Sequence, residues 1–529
     1  MKKLRLVAVL IAVFMAITVV GCGRPPEVEE KFDDNDEFYT IKYFIMNLGS
    51  TNGTMPDLKM VEDEVNKITQ PAINAKVELT TYHLSEYSTR VNGAILAGAE
   101  WDLCFSSPSI NPYFTNVQKE NFFPLDYILP KYAPVTYSQV AETDAKREAI
   151  WNQTRVDGKI YGSINMQIQP RTMGMNVNDV DMFEEWLAQY SANNFTPKKT
   201  FATFYEMCVD ENGNDDMNVA NTHINEYLKY CKTQGDSWGG LMTGIDIPTY
   251  LLNGFGFDDM GTTVQAPGVV RVSDTKEDGL TVINQFETEE FNQMVYWLKK
   301  WKEDGIFEQG TADSSGTSAD MQPNSTWKPG YERLTGGKRK DILRMGKSNM
   351  YTSFIIGTMN AINRYSKNPA RTMKFVELMS TNQELHNLLQ FGVEGTHFEF
   401  DESRGGKPFI IQTDKGWDNV DFGWGLGNEF KSYLTPTQTA TLWDDVKEIN
   451  RTATFSDVIG FNFDSTPVSA KVAACTALFD EYLKDIQSGK IALNQIDARI
   501  AEYKIKLAAA GANDIIAEKQ RQLNAWLAS

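Results

Sequence analysis

Phe38-Tyr39-Thr40-Ile41-Lys42-Tyr43-Phe44-Ile45-Met46-Asn47 opens the stretch that decides the fold, and Trp101-Asp102-Leu103-Cys104-Phe105-Ser106-Ser107-Pro108 closes it. In the first segment Tyr39, Ile41, Tyr43 and Ile45 recur every second residue, the period of a strand. Met55, Leu58, Val61, Val65 and Ile68 then recur at three and four, the period of a helix. Val77 and Leu79 begin a second alternation, Tyr87, Val91 and Ile95 a second helix, and residues 101–105 a short apolar strand. The succession β-α-β-α-β predicts a parallel sheet in an α/β fold. Ligands of such sheets sit beyond the carboxyl ends of the strands. Asn47, Ser106 and Ser107, which follow those strands, are candidate ligand contacts on that ground alone.

Upstream, Lys2, Lys3 and Arg5 precede an apolar run from Leu6 to Val20 that is too short to span a bilayer comfortably. This predicts a signal peptide over residues 1–21. Val19-Val20-Gly21-Cys22 resembles the lipobox of bacterial lipoproteins. That resemblance implies a diacylated Cys22 at the start of the mature chain, and two acyl chains make a durable tether where one holds only marginally. Residues 22–37 are therefore expected to be a lipidated N-terminus and a disordered leash, acidic and poor in apolar side chains. The expected location is the cell membrane, lipid-anchored on its extracytoplasmic face.

A chain of 529 residues exceeds the size at which one core stops growing, so two lobes are expected. A formal net charge of −19 speaks against a nucleic-acid partner and for solubility outside the cell. Beyond Cys22 the four cysteines are too sparse for a disulfide scaffold, whether paired or free. His83, His223, His386 and His397 are scattered, so neither a metal site nor a cofactor is expected.

Downstream, Thr288 is placed to cap a helix through Phe291, Met294, Val295, Leu298 and Trp301, and residues 308–330 read as a long loop. Asn368-Pro369 starts another helix, Thr381 to Glu384 has the form of a capping box, and Gly392 ends the helix that follows. Thr466-Pro467 introduces a helix through Val468, Val472, Cys475, Phe479, Tyr482 and Ile486. Two more follow, one through Leu493 to Leu507 and one from Asn513 to Leu527, each with an apolar face to pack on a lobe.

These landmarks resemble, in order, the extracellular solute-binding proteins of ABC importers (family 1, maltose-binding-protein-like). Trp101 to Phe105 looks like that family's third strand, Phe122-Phe123-Pro124-Leu125-Asp126 like its FxPLD segment, and Val156 to Gly162 like its NGKIYAxP strand, with Ser163 and Ile164 departing from the usual proline. Ser366-Lys367-Asn368-Pro369-Ala370-Arg371-Thr372-Met373 is similar to SKNPExAM, with Ala370 where an acid is usual. Trp327-Lys328-Pro329-Gly330, Gly392 to His397, Trp424-Gly425-Leu426-Gly427-Asn428 and Phe461-Asn462-Phe463-Asp464 resemble a large branch with an extra C-terminal region. The resemblance implies a two-lobed type II periplasmic-binding-protein fold with a ligand cleft, a hinge and a helical C-terminal region. Lobe 1 would take residues 38–168 and 350–430 and lobe 2 residues 169–349 and 431–529, with crossings near 168–171 and 347–355. It also implies a monomer that takes a carbohydrate, meets the importer's transmembrane subunits and is not an enzyme.

Sugar sites set aromatic faces against pyranose rings, yet most of the 11 Trp, 21 Tyr and 29 Phe must be core. Trp327, Trp417 and Trp424 stand in polar, Gly-rich stretches off any apolar stripe and are the better candidates. Asn165, Gln167 and Arg171 lie at the first crossing, where planar amides and guanidinium suit vicinal hydroxyls or, equally, hinge hydrogen bonds. Asp210 to Asn218 alternates oxygen ligands like a calcium loop, but Asp215 and Asn221 stand where Gly and Glu are needed, so a solvated acidic turn is the better reading. The alternatives are a binder of peptides or other polar metabolites on the same fold and, more distantly, a secreted glycosidase. No GxSxG, HExxH or P-loop supports an enzyme.

Overall fold

The computed structural model describes residues 32–49, 55–194, 203–234, 245–307, 321–330, 332–335 and 337–528. The signal segment, Cys22 and the leash before Phe32 lie outside the described residues. Among the described residues no helix is long and apolar enough to cross a membrane.

The opening stretch folds as its periodicity requires. β1 (Tyr39–Asn47), α1 (Leu58–Ile73), β2 (Ala75–His83), α2 (Leu84–Leu96) and β3 (Leu103–Ser106) form two parallel pairings, Tyr43 facing Leu79 on one side and Leu103 on the other. The chain passes α3 (Asp144–Gln153) and reaches β4 (Ser163–Ile164) before leaving through β5 (Arg171–Val177). In the second lobe α4 (Met217–Thr233) and α5 (Glu289–Glu303) precede β6 (Met321–Thr326), β7 (Arg333–Thr335) and β8 (Lys338–Met350). β6 falls inside the stretch expected to be a long loop, where pairing with β5 makes Met321–Thr326 a strand.

β9 (Met359–Ile362) brings the chain back into the first sheet, followed by α6 (Pro369–Thr381), α7 (Gln383–Phe391) and α8 (Leu442–Thr452). β10 (Thr454–Phe455) is the last crossing, and α9 (Ser469–Tyr482), α10 (Ile496–Ala509) and α11 (Ala512–Leu527) complete the chain. The first sheet has the order β2-β1-β3-β9-β4; the second has β6-β5-β8-β7, with β10 on β8. β9 runs antiparallel to β3, Met359 opposite Ser106, so the carboxyl ends of the parallel strands meet the returning chain at the hinge.

Two cores divide the molecule. Ile41 to Met166 and Met350 to Leu426 supply one, joined by Ile459. Met173 to Phe307, Met345, Val458 and Phe461 to Leu523 supply the other, so α9 to α11 share the core of the second lobe. Tyr503 of α10 stands edge-on to Phe286, ring centroids 5.3 Å apart. Leu434, Leu442 and Val446, expected in the second lobe, pack with Ile168 in a small cluster separate from both cores. The apolar face of α8 covers Ile168 at the first crossing.

Residues 33 and 34, expected within the N-terminal leash, contact the first lobe. Asp34, 3% exposed at its side chain, accepts from Arg371 Nε at 2.7 Å and Nη2 at 2.8 Å, and Lys374 Nζ lies 2.7 Å away. Tyr127 donates its hydroxyl hydrogen to Asp33 at 2.7 Å. Acidic composition argued for a free tether, but residues 33 and 34 find buried or aromatic-lined partners on lobe 1.

Candidate functional site

The carboxyl edge of the first sheet is covered by a segment from more than 300 residues downstream. Leu48 N donates to Asn419 Oδ1 at 3.4 Å, Asn165 Nδ2 to the Gly425 carbonyl at 3.2 Å, and Met166 N to the Gly427 carbonyl at 2.7 Å. Glycine is required here: a Cβ on Gly425 would lie 2.3 Å from the Phe422 ring, and Gly427 has φ +87° with Ser380 Oγ 2.8 Å from where its Cβ would be. His386, fully buried, steadies the segment with Nδ1 3.1 Å from the Leu426 carbonyl and Nε2 3.0 Å from Ser432 Oγ. Burial pulls its pKa down to about 4, so it is neutral at ordinary pH.

That cover places Trp424 at the strand ends. Its half-buried ring stands edge-on to Phe105 and to Phe422, with centroids 5.5 and 5.0 Å away. Trp417 is different. It is buried, donates Nε1–H to the Leu389 carbonyl at 3.1 Å and packs on His397, so its polar sequence neighbours misled and it belongs to the core.

The strand-end polar residues are likewise taken up inside the first lobe. Ser106 is fully buried and donates to the Asn111 carbonyl at 2.7 Å; Ser107 Oγ accepts from Ile110 N at 2.8 Å. Asn47 is fully buried and accepts from Gly49 N at 2.9 Å. They shape the loops that follow the strands and present no polar surface of their own in this structure. Asn165 is buried too, accepting from Asn360 Nδ2 at 2.7 Å. Gln167 donates to Thr358 Oγ1 at 2.8 Å, tying the first crossing to the turn before β9.

Arg171 and Trp327 are half-buried. The Arg171 guanidinium lies 4.0 Å above the Phe354 ring, which ties the first crossing to the second. Trp327 N donates to the Thr172 carbonyl at 3.0 Å, beside Gly174, whose missing Cβ leaves room for the Trp327 backbone. Arg344 lies over both Trp327 and Tyr205, 5.2 and 4.4 Å from their ring centroids. Lys328 Nζ reaches to 4.0 Å of Glu429 Oε1, so the Trp327 loop meets the Trp424 segment across the hinge. Sequence reasoning missed Phe354, Tyr205 and Arg344; Phe354 lay within the expected second crossing, whereas nothing local marks the other two.

The acidic turn is built from its own side chains. Asp210 Oδ1 accepts from the amides of Asn212 and Asn214, both at 2.8 Å, and Asp216 caps α4 through Asn218 N at 2.8 Å. Among the described residues no cluster of three or more His, Cys, Asp or Glu is poised for a metal. Cys104, Cys208, Cys231 and Cys475 are buried and form no disulfide.

Comparison with known proteins gives three kinds of likeness. Residues 457–528 match the model of a domain of unknown function (DUF3502). A carbohydrate ABC transporter substrate-binding protein of Streptococcus pneumoniae is 24% identical, covering 97% of this chain and 96% of that one. Among solved structures, the N-glycan transport solute binding protein of Streptococcus pneumoniae superposes with a TM-score of 0.69 at 19% identity, over 93% of this chain and 99% of that one. The Streptococcus pneumoniae ABC-transporter substrate binding protein FusA in complex with kestose gives 0.54 at 14% identity, over 92% and 99%. At these identities the structures establish the fold, two α/β lobes of the type II solute-binding architecture, each built from separate stretches of the chain.

Proposed function

We propose that this chain is the extracytoplasmic solute-binding component of an ABC importer, taking a sugar or oligosaccharide between its lobes. The observation that carries the reading is the arrangement of Trp424 and Trp327. One half-buried ring sits at the strand ends of the first lobe, the other on the second-lobe side of the hinge, and Lys328 and Glu429 link their segments. Two aromatic surfaces flanking a hinge suit the apolar faces of pyranose rings. Arg171 and Gln167, with the strand-end residues Asn47, Ser106, Ser107 and Asn165 shaping the floor behind them, supply hydrogen-bonding groups for hydroxyls. The relatives point to the same chemistry: the 24% identical one is a carbohydrate ABC transporter substrate-binding protein, and the structural neighbours include an N-glycan transport solute binding protein in complex with Man1GlcNAc and FusA in complex with kestose.

In this reading the protein holds its solute unchanged. Closure is a population shift driven by contacts made better in the closed state, and the importer's transmembrane subunits read that state. The protein acts as a monomer tethered through lipidated Cys22. Incubation with labelled oligosaccharides followed by denaturation tests it: recovery of intact sugar supports a binder, and recovery of cleaved sugar contradicts one.

A further inference from the structure

Residues 457–528 belong to the core of the second lobe, yet their first loop is tied to the first. Gln153, at the end of α3 and fully buried, donates Nε2–H to Asn462 Oδ1 at 2.6 Å and to the Phe461 carbonyl at 3.2 Å; its Oε1 accepts from Gly460 N at 2.8 Å. Asn462 Nδ2 returns to the carbonyls of Gln153 at 3.2 Å and Arg155 at 3.3 Å. The second lobe comes close to this knot at Gly261, where an added Cβ would lie 3.6 Å from both Gln153 Nε2 and Asn462 Oδ1.

The same region reaches the second crossing by another path. Lys519 of α11 is buried and donates to Thr262 Oγ1 at 2.8 Å and to the carbonyls of Asp259 at 3.1 Å and Gly268 at 2.6 Å. The loop so held carries Asp258, also buried, whose carboxylate accepts from Thr352 Oγ1 at 2.6 Å and Thr352 N at 3.1 Å, just after β8. Ser353 bonds to Asp259 beside it. An ammonium with three oxygen partners fixes a loop more firmly than packing alone, because removing the charge leaves those acceptors unpaired.

We propose that residues 457–528 are a hinge brace that sets the pivot of lobe motion, through Gln153 and Asn462 on the first lobe and through Lys519 and Asp258 on the second crossing. Fused to one lobe and pinned to the other behind the crossings, the region restricts the arrangements the unliganded protein visits. A protein spending a smaller fraction of time in the binding-competent arrangement loses apparent affinity by that fraction. The inference rests on the two-lobed hinge and not on the identity of the solute, so unliganded protein suffices to test it.

The test measures inter-lobe distances by pulsed electron resonance between spin labels at Leu96→Cys and Tyr296→Cys, both exposed and one on each lobe. Cys22→Ser removes the one cysteine beyond the four buried thiols. Gln153→Glu keeps the side chain's shape and its acceptor for Gly460 N but loses the donor facing Asn462 and Phe461. Asn462→Ala cuts the knot from the other side and carries the test should the first variant not fold, which a melting curve establishes. The brace predicts one narrow distance distribution for the parent and, in each folded variant, a broadened one displaced to longer distances. Distributions indistinguishable from the parent in folded variants would overturn it and leave the region a packing element of the second lobe.

Discussion

Trp424 stands edge-on to Phe105, the third residue of β3, with ring centroids 5.5 Å apart and planes at 79°. A ring more than 300 residues downstream is thereby fixed at the strand ends where the fold places a ligand.

Trp424→Ala should weaken sugar binding tenfold or more, about 1 to 2 kcal/mol. The ring also packs on Phe105 and Phe422, so unliganded stability should fall as well, by less than the roughly 3 to 5 kcal/mol expected for a fully buried tryptophan. Calorimetric titration and thermal melting of the same variant separate the roles. A full core-sized stability loss with unchanged affinity would return Trp424 to packing.

His386 couples the Trp424 segment to pH. Its folded pKa of about 4 lies below the ordinary imidazole value of 6.5, chiefly through burial, so between those values the unfolded chain binds the extra proton. The stabilisation is complete above about pH 6.5 and is lost as pH falls towards 4, up to roughly 3 kcal/mol. Urea unfolding at pH 7 and pH 5 should show a stability gap between parent and His386→Gln that narrows at the lower pH; a constant gap would sink the assignment.

The opening strands and helices were legible because their faces alternate cleanly between core and surroundings, as Tyr43 and Val61 do. Caps were legible to within a residue: Asn368 caps α6, but Asn382, not Thr381, caps α7, since both offer a suitable oxygen and only the chain path chooses between them. The candidate residues were legible as positions at the strand ends and the hinge, and not in their contacts. Asn47 and Ser106 are the last residues of β1 and β3, and their polar atoms are taken up inside the lobe. Trp417 and Trp424 share a Gly- and Asp-rich neighbourhood, and which ring sinks into the lobe depends on α7, whose Leu389 carbonyl takes the Trp417 hydrogen. Tertiary partners hundreds of residues away leave no local signature.

Asp34 should prove structural. Burial pulls its carboxyl up, but the hydrogen bonds from Arg371, Lys374 and Asn368 outweigh that and hold it well below the ordinary carboxylate range. Such a pair stabilises fully above the unfolded carboxylate pKa and loses its effect as pH falls through the lowered folded value. Asp34→Ala, which strands the buried Arg371, is expected to cost about 3 to 5 kcal/mol at pH 7. Denaturant titration should find this penalty shrinking below about pH 4, where the parent begins to lose the same pair. A penalty under about 1 kcal/mol at pH 7 would mean the pair behaves as a surface bridge.

Cys22→Ser should release the protein from membranes in a bacterium that processes lipoproteins. Equal partition of parent and variant into the soluble fraction would remove the lipid anchor from the account.

The central claim is capture of a carbohydrate between the lobes, and a melting-temperature screen of the purified protein reaches it most directly. A solute that binds only the folded protein adds about 2.7 kcal/mol at 100 times its dissociation constant. The account predicts that a panel of oligosaccharides, including N-glycan fragments and fructo-oligosaccharides, contains at least one that raises the melting temperature of the parent and raises that of Trp424→Ala less. A carbohydrate panel without effect, beside a peptide or amino-acid panel that stabilises the protein, would contradict it.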